Sequence, residues 1–103
     1  MVVSAHYDVV TDRQKLAALL EAGMESAASE IYEAGGLIGH LKASMDVHTV
    51  EVFSLTDREV YRKSGSDCRI TVTAAAILFA LEEAEAEERI RTMLEEIDKK
   101  VRK

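Results

Sequence analysis

Hydrophobic and polar positions alternate in distinct periods along the chain, and the changes of period mark the elements. Residues 2–10, VVSAHYDVV, alternate with period two and are rich in β-branched and aromatic types, which predicts a first strand. Val3, Ala5 and Tyr7 fall on one face of it, and Val2, Ser4 and His6 on the other. The period then becomes helical. Leu16, Leu20, Met24, Ala27, Ile31 and Ala34 make one stripe, widened by Leu19 and Ala28. Thr11 and Gln14 have the spacing of a capping box and predict the helix start. Gly35 and Gly36 predict its end, because glycine adopts the left-handed C-terminal conformation without steric cost. Gly23, inside this helix, predicts close packing on the sheet.

Period two returns at Leu37. Leu37, Leu41, Ala43 and Met45 should face the helices, and Ile38, His40, Lys42, Ser44 and Asp46 should face outward. Gly39 within this strand suggests a bulge or a close approach. Asp46–His48 reads as a turn, and residues 49–55 as the next strand. The polar run DREVYRKSGSD contains a Ser64-Gly65-Ser66 turn signal. From Cys68 a last strand begins, with Cys68, Ile70, Val72 and Ala74 alternating against Arg69, Thr71 and Thr73. Residues 74–81 are apolar throughout, so period does not separate strand from helix there. Strand to about Phe79 is the reading adopted, with helix from Ala74 the alternative. A final helix over 81–101 carries the stripe Ile90, Met93, Leu94, Ile97 and Val101. Its acidic start and basic end suit the helix dipole, and pairs such as Glu85–Arg89 and Glu95–Lys99 have the favourable spacing.

The order β-α-β-β-β-α over 103 residues predicts one α+β domain. It should be a two-layer α/β sandwich, with a mostly antiparallel sheet and both helices on one face.

Composition narrows the function classes. The net charge of −6 lacks the positive footprint of a general nucleic-acid binder. The basic tail DKKVRK offers a small exception, a contact to an acidic partner, against the simpler reading of a solvated helix end. The single cysteine, Cys68, excludes an internal disulfide and fits a reducing, cytoplasmic setting. No signal-peptide pattern is seen, and the longest apolar run, eight residues, falls short of the roughly 20 that span a bilayer.

Candidate chemistry lies on the outward sheet face. Ile38 and Phe53 are apolar residues on a side expected to be wet, which marks an interface. With Arg69 and Thr71 they form the expected ligand or interface surface. His40, with an unperturbed pKa near 6.5, would serve as general acid or base. Lys42, two residues on, would hold an anion, and Glu51 on a neighbouring strand would orient the imidazole. Each of these has an ordinary solvated-surface reading beside it. His6, His40, His48, Asp46 and Cys68 are possible metal ligands but show no ligand spacing, so no metal is expected and the cofactor is unknown. Cys68, beside Ile70 and Val72 on its face, reads as a buried thiol rather than a nucleophile. GGLIGHLK lacks the spacing of a phosphate loop. The expectation is a non-catalytic binding or accessory protein that self-associates, as a dimer, through its open sheet face or an edge strand. The alternative is a small enzyme or anionic-ligand sensor with His40, Lys42 and Glu51 at a subunit interface.

Overall fold

The computed structural model describes residues 1–56 and 59–102, with side chains given for 1–48 and 67–102. Five elements follow in the order β1 (Val2–Asp12), α1 (Arg13–Glu33), β2 (Leu37–Thr56), β3 (Glu59–Phe79) and α2 (Glu83–Val101). The sheet has the order β1-β3-β2, and both pairings are antiparallel. β1 and β2 therefore run parallel to each other on either side of β3, joined by the helical crossover α1. The α+β class and the two-layer arrangement agree with the sequence. The strand count differs, because the two strands predicted over 37–45 and 49–55 are one.

No turn forms at Asp46–His48. Asp46, Val47 and His48 pair with Thr71, Ile70 and Arg69. A ladder unbroken from His40 to Thr49 satisfies more backbone groups than a turn there would. The two strands of the hairpin meet at Thr56 and Glu59, so the predicted Ser64-Gly65-Ser66 turn lies within β3. There the ladder slips in register, between Thr49 and Glu51. β1 covers only residues 67–77 of β3, so the β2–β3 hairpin projects past it. The longest dimension, 65 Å, is about that of a 20-residue strand at 3.3 Å per residue.

One face of the sheet carries the core. Ile70, Val72, Ala74, Ala76 and Leu78 of β3 are buried and meet Leu16, Leu20, Ala27 and Ile31 of α1 and Ile90, Met93, Leu94 and Ile97 of α2. Each large aliphatic side chain taken fully from water contributes about 1.5–3 kcal/mol. The single expected parity thus continues through the apolar run to Phe79, which is strand throughout. The two helices pack on each other, and against the sheet α2 lies mainly on β1 and α1 nearer β2. Gly23 faces α2 rather than the sheet. A Cβ at that position would lie 2.7 Å from Ile97 Cδ1.

The start of α1 is one residue later than the capping-box spacing implies. Thr11 is the buried end of β1, paired with Cys68, and Asp12 is the N-cap. Its Oδ1 accepts a hydrogen bond from Lys15 N at 2.9 Å, which satisfies one orphan amide of the first turn. At the other end Gly35 N donates to Tyr32 O and Gly36 N to Ile31 O. With Gly35 at φ +87°, this is a Schellman closure, as the glycine pair predicts.

Candidate functional site

The outer face of the sheet is the candidate surface, because the helices cover only the other. Cross-strand register arranges its residues in rows. Val2, Ile77 and His40 make one row, then Ser4, Ala75 and Lys42. His6, Thr73 and Ser44 follow, then Asp8, Thr71 and Asp46. Leu37 and Phe79 close the apolar end.

Ile38 is not on this face. β2 carries a bulge between Ile38 and His40, so Ile38 pairs with the buried Leu78 and packs against the core. One inserted residue reverses the alternation, and Leu37 takes the outward position predicted for Ile38. Among the described residues, the apolar side chains at this end of the wet face are therefore Leu37, Ile77, Phe79 and Val2, and Val2 is 72 % exposed; Val10, 65 % exposed, lies on the same face at the far end of β1. Gly39 makes room for this group: a Cβ there would lie 2.9 Å from the Phe79 ring. The side chain of Phe53 lies outside the described residues.

His40 and Lys42 are outward and exposed, as the alternation implies. Glu51 is on the same strand as both. Lys42 and Glu51 are nine positions apart, about 30 Å of extended chain, so the three residues are not brought together within one chain. Arg69 is exposed and Thr71 half-buried on the outer face, where Thr71 Oγ1 donates to Asp8 Oδ1 at 2.6 Å. Beside it His48 Nε2 lies 3.6 Å from Asp46 Oδ2. These contacts tie polar groups to one another rather than aim them at a common point.

The possible metal ligands are dispersed. Cys68 is buried on the helix side, and His40 and His48 are eight residues apart on β2. Among the described residues no three His, Cys, Asp or Glu side chains converge. Among them also, no helix is long and apolar enough to cross a membrane.

Two features of β1 have no sequence signature of the usual motif kind. Tyr7 Oη is buried without a hydrogen-bond partner among the described residues. Burial holds the phenol above its ordinary pKa, the Asp98 carboxylate adds to this, and the Arg102 guanidinium opposes it. Tyr7 lines a groove of about 230 Å³ between β1 and α2, with Leu94, Glu95 and Asp98 on its helix side. The second feature is the free edge of β1, whose outer side no strand occupies.

What the fold and surface define is a two-layer α+β domain with an open sheet face and a bare edge strand. The chain matches no protein-family model, no curated protein and no solved structure.

Proposed function

We propose that the chain is a non-catalytic binding or accessory protein that self-associates as a homodimer through the uncovered parts of its sheet. The observation that carries this is the contiguous apolar group Leu37, Phe79, Ile77 and Val2 on the face that no helix covers. Apolar side chains aligned across neighbouring strands gain by removal from water, at roughly 25 cal/mol per Å². β1 supports the same reading. Its 11 residues contain no proline, lysine or bulge, so of the devices by which natural sheets block pairing at an edge it carries only the carboxylates Asp8 and Asp12. The alternative, a small enzyme or anionic-ligand sensor, has less support, since Glu51 lies far along β2 from His40 and Lys42.

Sedimentation equilibrium on untagged protein tests the proposal. A dimer mass that dissociates on dilution is the expected result. A monomer throughout, up to ~100 µM, a range that detects even weak pairing, would overturn it.

A further inference from the structure

We infer that two copies join edge to edge, β1 against β1, about a two-fold axis through His6. This rests on the self-association proposed above and names the surface and register it uses.

The ladder decides which groups are available. Met1 N donates to Leu78 O at 3.0 Å, and Leu78 N donates to Met1 O at 2.9 Å. Met1 and Leu78 are thus a hydrogen-bonded pair. Such pairs alternate along an antiparallel ladder, so Val3, Ala5, Tyr7 and Val9 direct their backbone groups to β3. Val2, Ser4, His6, Asp8 and Val10 direct theirs to the free edge. A second antiparallel strand would satisfy them.

The strand is complementary to itself. Reading outward from His6 in VVSAHYDVV, the flanking pairs are Ala5 and Tyr7, Ser4 and Asp8, Val3 and Val9, Val2 and Val10. An antiparallel copy centred on His6 sets Val2 against the partner's Val10, and both are largely exposed, at 72 % and 65 %. Ser4 meets the partner's Asp8, a hydroxyl donor opposite a carboxylate. On the helix side Val3 meets the partner's Val9, and the Tyr7 ring meets the partner's Ala5, a large residue over a small one. No carboxylate of the strand faces another. A shift of register by two residues loses these matches.

The helix above the edge agrees independently. The groove level with Ala5, His6 and Tyr7 is lined by α2 between Arg91 and Asp98, and that segment is centred between Leu94 and Glu95. A two-fold axis at His6 sets α2 beside the partner's α2, running the opposite way. Arg91, 3.9 Å from Glu95 in its own chain, then stands level with the partner's Asp98, a residue that Arg102 holds at 2.9 Å within each copy, and the exchange occurs twice. The pairing makes one continuous sheet from the three strands of each copy, and it extends the apolar group of the outer face at Val2, which meets the partner's Val10.

The test uses cysteine substitutions in a Cys68→Ala background. In a hydrogen-bonded antiparallel pair the Cα atoms lie about 5.5 Å apart, a separation that a disulfide spans. His6→Cys should therefore give a covalent dimer under mild oxidation. Ser4→Cys alone and Asp8→Cys alone should not, whereas a mixture of the two should. Proline at position 6 removes only an outward N–H and leaves the β1–β3 ladder intact. His6→Pro should weaken the dimer about tenfold or more while the circular dichroism spectrum is retained. A dimeric wild type whose His6→Cys form stays unlinked would overturn the edge pairing and leave self-association standing. So would a dimer broken by Phe79→Asp but not by His6→Pro, since the contact would then lie on the face. A wild type that is always monomeric would overturn both.

Discussion

Gly23 of α1 and Ile97 of α2 set how closely the two helices approach: a methyl at position 23 would lie 2.7 Å from Ile97 Cδ1 and 2.9 Å from its Cγ1. Ile97 is 1 % exposed and has little room to move. Helix propensity alone favours Gly23→Ala by about 1 kcal/mol. Overpacking of a filled core costs about 1–3 kcal/mol. The clash should win, and Gly23→Ala should lower unfolding stability by about 1 kcal/mol in a urea titration. A gain in stability would mean that the helices separate easily.

Ala80, the residue after β3, has φ +62°, a left-handed conformation that costs a residue with a Cβ about 1–2 kcal/mol. Ala80→Gly relieves that strain but loosens the unfolded chain, which offsets part of the gain. The expected outcome is a stabilisation of about 0.5–1 kcal/mol, read as a higher urea midpoint with an unchanged slope.

Asp12 should behave as a helix cap. Asp12→Ala removes the acceptor of the Lys15 amide and should cost about 1 kcal/mol. Thr11→Val, at the buried end of β1, should cost less, which separates the two candidate caps by thermal denaturation.

Tyr7 should make stability sensitive to high pH. Its folded pKa is raised above the ordinary value, by burial first and then by Asp98. The unfolded chain therefore loses the phenolic proton first, near pH 10. Below that pH both states hold the proton and the contribution is constant. As pH rises further the folded state binds more protons than the unfolded one, so stability falls. Tyr7→Phe should remove this part of the alkaline loss. At neutral pH it should be neutral or slightly stabilising, because it deletes a buried hydroxyl with no partner among the described residues. Unfolding curves at pH 7 and above pH 10 compare the two proteins directly.

Much of the fold is legible in residue spacing. Leu16, Leu20, Ala27 and Ile31 are buried as their helical stripe implies, and Cys68, Ile70, Val72 and Ala74 as their alternation implies. Misreadings arise where a local signal competes with a distant partner. Asp46 has turn chemistry, yet pairing with Thr71 holds it in β2. Thr11 has the spacing of a cap, yet pairing with Cys68 keeps it in β1. Gly39 signals a bulge, as the ladder shows between Ile38 and His40, but the faces were assigned by unbroken alternation through it, so Ile38 and Leu37 exchange faces. His40 and Lys42 face outward as expected, whereas Glu51 was separated from them by a strand that did not break.

The sequence by itself determined the periods, and with them the helices, the inward face of β3 and the two-layer class, because side-chain direction along one element follows from local backbone geometry. Tertiary structure decided the length of β2, the parity change at Gly39, the place of β3 between β1 and β2, and so that β1 and β2 form the edges. Those features depend on hydrogen bonds between residues far apart in the chain, as between Met1 and Leu78, and such pairings are set by the whole ladder rather than by any single stretch.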